Sequence, residues 1–537
     1  MADSNAKYDV AIIGMGPVGA TIACLLGREG IKVRIVDREA AIFDKPRAIV
    51  LDHEVLRTLQ FCGLPQSFFD SVSPHTGTDF IGQQGQLIKL FDPKAPPFEM
   101  GWPPNVMFIQ PELELALAQA MASNAFITTE RCFNVTTIDQ DASGVRVGGT
   151  NAAGELVETY ASYVIGADGA NSIVRSAAGL EIEDLDFAEW WVVVDAWLVG
   201  EAQLPAKTTQ FCQTKRPATY VVGPRNLRRW EIKLLPGEDP ATFRDPAAVN
   251  RLLTDFVDVS ALDVWRSAVY RFQAVVAQHW RKERLLIAGD AAHTMPPFLA
   301  QGLCAGLRDA ANLSWKLTQV LRRGADPALL DTFEQERKPH VTEIVRHAKD
   351  FGLIIGELDP VKAAARDKLL ERQLRDGTAP TVRQAFIPNL SGGLFDDRSE
   401  KAGSPFIQPL IASDDGAYVL MDSAVDPDFI VIARKGLLSA MSHEALSAWE
   451  GIGGKIFALN HKPAGQGRFA SIEEKGRQVS DWLDAAGSNA VIVRPDRYVY
   501  GTATDSTSLA DMMVVIAENI GCQKVDAYPP DGRWQCH

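Results

Sequence analysis

From Val10 to Gly27 the chain reads VAIIGMGPVGATIACLLG, a run without a single charge. A run of this length fits a membrane span or a secretory signal only as a continuous apolar helix. Gly14, Gly16, Pro17 and Gly19 interrupt it in the middle. Glycine and proline there favour a short strand, a tight turn and a helix. The preceding MADSNAKYD lacks a basic leader, so the reading is a soluble α/β unit. Tyr8–Ile13 is then a buried strand, Gly14–Gly19 a turn, Ala20–Glu29 a helix and Lys32–Val36 a second strand ending at Asp37. A strand–helix–strand of this size makes the two strands parallel.

That unit carries the first chemical motif, Gly14-Met15-Gly16-Pro17-Val18-Gly19. Glycines let the backbone approach a pyrophosphate, and the helix N-terminus meets its charge. Asp37, about 20 residues on, is placed to accept hydrogen bonds from an adenosine ribose. A glycine turn in an unrelated α/β fold is the plain alternative. The motif does not separate NAD from FAD.

The chain has 537 residues, enough for two to four domains. Its formal charge of -14 leaves no basic excess for a polyanion such as nucleic acid. Cysteines stand scattered at 24, 62, 132, 212, 304, 522 and 536, with no CxxC and no metal-like cluster. That usage suits a reducing, cytoplasmic setting and predicts no bound metal.

Further along, Glu112–Ser123 reads as a helix with Pro111 at its start. From about Trp190 the texture changes to strands rich in Trp, Val and Tyr: Trp190–Leu198, Thr219–Val222 and Arg229–Leu235. The α/β texture returns at Leu285, followed by long helices over Ala305–Arg322 and Pro327–Phe351. The expected division is a Rossmann-like dinucleotide-binding domain over 1–180, with a short substrate-domain excursion near 76–104, and an inserted antiparallel-sheet substrate domain over 181–274. The first domain then resumes over 275–385. A linker follows at 386–405, rich in Pro and Gly, and a small α/β unit over 406–537.

Two more strand ends carry the same signature. Val164-Ile165-Gly166-Ala167-Asp168-Gly169 precedes Asn171, Ser172 and Arg175; alone it reads as a tight turn. Leu285–Ala288 ends in Gly289-Asp290, and Pro296-Pro297 and Gln301-Gly302-Leu303 follow. Asp290 offers an acceptor for a polyol hydroxyl. The free N–H groups of a helix opening at Gly302 suit negative charge on a reduced flavin. A plain strand–loop–helix crossover explains Gly289 but not the rest.

Together, GMGPVG, GADGANSIVR and GDAAHTMPPFLAQG resemble the FAD-dependent aromatic hydroxylases, single-component flavoprotein monooxygenases of the para-hydroxybenzoate hydroxylase type. Pro46-Arg47-Ala48, Gln110-Pro111, DAANLSWKL and FEQERKPH extend the likeness over nearly the whole chain. The stretches PPFLAQGLCAGLRDAANLSWKL, RAIVLDHEVLRTLQ and RRWEIKLLPGED look most like 3-(3-hydroxyphenyl)propionate hydroxylases. VIVRPDRYVYG resembles the thioredoxin-like domain of the phenol-hydroxylase branch, here without a CxxC, which points to a structural or dimer-contact role.

The resemblance implies FAD as cofactor, NADH or NADPH and O2 as co-substrates, a small phenolic substrate hydroxylated by way of a flavin hydroperoxide, and a homodimer. Gly14, Gly16, Pro17, Val18 and Gly19 would hold the pyrophosphate, and Asp37 and Arg38 the adenosine side. Arg47, Gln110, Asp168, Gly289 and Asp290 would meet the rest of the cofactor, with Asp168 implicated also in NAD(P)H binding. Pro297, Gly302 and Leu303 would edge the flavin ring. Many relatives have Gly where Ala300 stands. Asp52 and His53 are candidates for the base that ionises the phenol; a helix cap at the same place is the alternative. His293 reads as a structural hydrogen-bonder.

Tyr220, Trp230 and Pro296 are candidates for the substrate pocket, with Trp190 and Trp191 on the same sheet. Arg228, Arg229 and Lys233 are available to meet a substrate carboxylate. A flavin halogenase would carry WxWxIP, which is absent. An NAD-only dehydrogenase would lack the second and third motifs. A non-catalytic flavoprotein would bind FAD without oxidising NAD(P)H in response to a phenol.

Overall fold

The computed structural model describes residues 7–413, 415–460 and 469–521. The polar start of the chain up to residue 6, Cys522, Cys536 and the end of the 406–537 unit lie outside the described residues.

The opening stretch forms the strand Lys7–Ile13, the turn and the helix Pro17–Arg28, followed by the strand Val33–Val36. Lys7–Ile13 lies parallel between Val33–Val36 and Leu156–Gly166. It is covered on both faces, which is why VAII is uniformly apolar. The parallel set continues to Ile127–Glu130 on one side and Leu285–Ile287 on the other. Thus the three motifs sit at the carboxyl ends of three adjacent parallel strands, where α/β sheets bind their ligands.

The helix Pro17–Arg28 packs on Gly302–Arg323, the long helix after the third motif. Gly19 makes the strand–helix approach possible: a Cβ there would stand 2.1 Å from the Gly14 carbonyl oxygen.

A second eight-stranded sheet is built around Ile182–Leu198, Leu227–Lys233, Ala218–Val222 and Leu262–Ala277. The strands Thr78–Ile81 and Leu87–Phe91, from the 76–104 excursion, extend it at one edge. His293–Thr294 joins the other edge, so the third motif touches both sheets.

Alternation along Leu227–Lys233 separates two faces. Trp230 and Ile232 point into an apolar cluster with Tyr220, Val192 and Val194, closed by Val249, Leu252 and Leu253 of the helix Pro246–Leu253. Arg229 and Glu231 point the other way, toward the first sheet.

The C-terminal unit has the strands Ile430–Arg434, Lys455–Leu459, Ala490–Val493 and Val499–Ala503. The first two are parallel and the last two antiparallel, and Ser506–Ile520 closes the unit. This is the thioredoxin-like order, and the described residues from 406 onward contain no cysteine.

Two buried ion pairs and a hydrogen bond tie it to the rest. Arg494 meets Glu336 at 2.8 Å, Arg57 meets Asp422 at 2.6 Å, and Tyr498 donates to Glu54 at 2.6 Å. No described helix is long and apolar enough to cross a membrane.

Candidate active site

A cavity of about 670 Å³ lies between the two sheets. Residues of all three motifs line it: Gly14, Gly16, Pro17 and Val18 from the first, Asp168 and Gly169 from the second, Asp290, Pro297, Gly302 and Leu303 from the third. Asp37, Arg38, Arg47 and Gln110 line it as well. A smaller void of about 80 Å³, against the C-terminal unit, carries none of the motifs.

The dinucleotide end is assembled from backbone. Asp37 accepts from Met15 N–H at 2.7 Å and from Glu39 N–H at 2.8 Å, locking the glycine turn to the second strand. Gly16 is the N-cap of the helix, Pro17 its first residue, and the space where a Cβ of Gly16 would stand is free of protein atoms within 4 Å. Gly19 and Gly289 do not line the cavity. Gly19 is consumed by packing, and Gly289, at φ +60, turns the chain against Val18.

Asp168 accepts from Ile173 N–H at 2.7 Å through one oxygen, while the other has no protein partner. Asp290 is open to the cavity yet surrounded by protein. Burial pushes its carboxyl above the usual range, against the pull of His293 and Arg47. Gln110 accepts from Ala48 N–H at 2.6 Å and donates to Glu114 at 2.7 Å, fixing the Arg47 segment beside the cavity.

The helix at Gly302 leaves its first N–H groups unpaired within the helix. Ala300, just before it, has φ +54, a conformation costing a non-glycine residue about 1–2 kcal/mol. Glycine would adopt that conformation without the cost. Unpaired acceptors at Asp168 and Asp290, with open space over the glycines and helix N-termini, fit a long dinucleotide with hydroxyls along its middle.

Gly16→Ala is therefore expected to change folding stability by under about 1 kcal/mol and to weaken FAD binding severalfold. Denaturant unfolding of the apoprotein and fluorescence titration with FAD check the two halves.

The second sheet forms the opposite wall. Gln210, Thr219 and Glu231 are neighbours across three strands, and Arg229 faces Asp195, which in turn faces Arg266. Phe272, Phe298 and Tyr270 supply aromatic surface, backed by Trp191 with its ring 5.0 Å from that of Phe298. His75 and Arg383 close one end.

Arg383 is buried, donates to Thr78 Oγ1 at 3.1 Å, and has no carboxylate within ion-pair distance among the described residues. Burial pulls its guanidinium down to about 10. Burial, aided by Arg383, pulls His75 down to about 3.

Several expected contacts are corrected. Tyr220 and Trp230 lie on the far face of the sheet, 5.4 Å apart in the apolar cluster, because they fall on the alternate residues to Thr219 and Glu231. Pro296 is buried and does not line the cavity.

Asp52 is fully buried outside the cavity. It caps the helix His53–Gln60 through Val55 N–H at 3.2 Å and pairs with Arg308 at 2.6 Å, so it is no base for a substrate. His53 opens that helix away from the cavity. His293 is buried with Nε2 2.7 Å from Asp309. Of the cations expected near a substrate, Lys233 is held by Glu189 at 2.6 Å, Arg228 does not line the cavity, and Arg229 does but is paired with Asp195 at 2.7 Å.

Glu231, Gln210, His75 and Arg383 were not singled out from sequence. The signal for Glu231 was present: Arg229, Glu231 and Lys233 alternate with Trp230, Ile232 and Leu234.

The fold and this site define a dinucleotide-binding enzyme in which one cavity runs from the glycine turns to the wall of the second sheet. The FAD binding domain family model matches residues 7–348, and the HcaD C-terminal domain model matches 403–515. The chain is 34% identical over 511 residues to a protein of Rhodococcus jostii named a probable NADH-specific resorcinol 4-hydroxylase, covering 94% of this chain and 93% of that one. It is 30% identical over 528 residues to a 3-(3-hydroxy-phenyl)propionate/3-hydroxycinnamic acid hydroxylase of Burkholderia vietnamiensis, covering 95% and 96%. The anhydrotetracycline hydroxylase OxyS from Streptomyces rimosus shares the fold at a TM-score of 0.76 and 22% identity, covering 95% of this chain and 98% of that one. The chain belongs to the FAD-dependent aromatic hydroxylases.

Proposed function

We propose that the enzyme uses NADH to hydroxylate a single-ring phenol bearing a carboxylate side chain, ortho to the hydroxyl, in the cytoplasm. The single observation that favours an acid is Arg383, a buried cation lining the cavity without a carboxylate of its own. Burying an unpaired charge is costly, and a substrate carboxylate would offset that cost. The relative named NADH-specific supports NADH, and the relatives named for hydroxyphenylpropionate support the acid.

Bound FAD, once reduced and exposed to O2, supplies the electrophilic oxygen atom. In this reading Gly14, Gly16, Pro17 and Val18 would hold its pyrophosphate, Asp37 and Arg38 its adenosine side, and Asp168 and Asp290 hydroxyls along its length. Pro297, Gly302 and Leu303 would edge the ring. Phe272, Phe298 and Tyr270 exclude water and hold the phenol ring flat. Arg383 fixes the carboxylate, and so decides which ring carbon meets the oxygen.

The test is a panel of 3-(3-hydroxyphenyl)propionate, its methyl ester and resorcinol, following NADH consumption alongside hydroxylated product. The acid is expected to have the highest kcat/KM. Arg383→Gln is expected to lower kcat/KM for the acid roughly 10–100-fold, the worth of a charged hydrogen bond, and to leave resorcinol within threefold. Equal kcat/KM for acid and ester in the wild type would remove the acid from the proposal and leave resorcinol-like phenols as its substrate.

A further inference from the structure

We propose that Glu231 takes the proton from the substrate's phenolic hydroxyl, the O–H bond breaking and its electron pair staying on the phenol oxygen. This rests on the phenol reading above and concerns the same cavity.

Five carboxylates line the cavity among the described residues: Asp37, Glu39, Asp168, Asp290 and Glu231. Four come from the first sheet's motifs and their loops. Glu231 alone stands on the second sheet, between Thr219 and Val193 of the neighbouring strands and near the aromatic wall. It is 6% exposed, and neither oxygen has a hydrogen bond within the protein. Its nearest cation, Arg229 at 3.8 Å, is committed to Asp195 at 2.7 Å and to the Arg47 carbonyl at 2.8 Å. A buried carboxyl with unused acceptors in a cavity is poised for an incoming O–H donor.

His75, which also lines the cavity, cannot do the same work. His75 Nδ1 accepts from Gly77 N–H at 2.9 Å, which leaves the proton of the neutral ring on Nε2. It can donate to the cavity but cannot receive.

Burial raises Glu231 to about 7, with Arg229 opposing, Asp195 adding to the rise and Arg266 opposing. His75, Arg383 and Arg47 also line the cavity. A base of that strength is matched to neutral pH. The phenol, ordinarily near 10, is helped to ionise by the cations Arg229 and Arg266, which line the same cavity. Below about pH 7 Glu231 carries its own proton and cannot accept another.

The test compares FAD-loaded wild type with Glu231→Gln. For 3-(3-hydroxyphenyl)propionate, wild-type kcat is expected to fall on acidification through pH about 7. Glu231→Gln is expected to lose that limb and to turn over about 100-fold more slowly at pH 7.5. The gap should narrow toward pH 10, where the phenol ionises unaided.

An unaltered acid limb in Glu231→Gln, or rates within threefold of wild type at every pH, would overturn the assignment to Glu231 alone. A wild type that hydroxylates no phenol would overturn the phenol reading with it.

Discussion

Glu336→Gln is expected to destabilise the folded chain by about 3–5 kcal/mol, the cost of leaving buried charges without their partner. Glu336 is fully buried, and every group around its carboxylate is a donor. One oxygen accepts from Arg494 at 3.0 Å and Leu394 N–H at 2.9 Å. The other accepts from Asn312 at 2.7 Å and Arg494 at 2.8 Å, and lies 2.9 Å from Lys316 Nζ. A glutamine would have to turn its NH2 toward one of these donor sets, and would leave buried Lys316 without a carboxylate and Arg494 with Asp496 alone.

Burial pushes the Glu336 carboxyl up, but Arg494 and Lys316 outweigh it and hold it down at about 2. Its stabilisation is therefore complete above the unfolded value, near pH 4.3, and is lost as pH falls through about 2. Denaturant unfolding should show a large gap between wild type and variant at pH 7 that shrinks on acidification. Adding Lys316→Met to the variant should recover part of the loss, because one stranded charge is removed.

Gly14→Ala is expected to abolish FAD retention and to cost roughly 1–3 kcal/mol of overpacking on top of backbone strain. Gly14 has φ +100, and a Cβ there would stand 2.3 Å from the Ala167 carbonyl oxygen. That carbonyl lies at the end of the neighbouring parallel strand, so the side chain would push the first and second motifs apart. Flavin absorbance surviving gel filtration, read beside a thermal melt, checks both effects. Gly16→Ala, with open space at its Cβ, should lose FAD affinity without the melting shift.

The parallel-sheet framework was legible because glycines and acids mark its strand ends. Lys7–Ile13 and Leu285–Ile287 lie close to their expected places. The 76–104 excursion joined the second sheet because Thr78–Ile81 pairs with Thr208–Phe211, a contact between segments far apart in sequence.

Reading the pocket failed where side-chain periodicity was outweighed by residue type. Tyr220 and Trp230 looked like pocket aromatics, yet the helix Pro246–Leu253 covers their face and turns the charged alternates toward the cavity. Asp52 looked like a base, but its cap and its Arg308 pair use both oxygens. Arg383 and His75 could not be placed from sequence at all. They reach the cavity from a loop and from the short helix Arg383–Phe386, brought together by the edge of the second sheet.

The most direct test of the account is the stoichiometry of one reaction. With FAD-loaded enzyme, NADH and 3-(3-hydroxyphenyl)propionate, the expected result is one ring-hydroxylated product for each NADH consumed, as the proposal of a phenol held against the flavin requires. NADH consumption unaffected by any phenol, or consumption yielding only hydrogen peroxide, would contradict it.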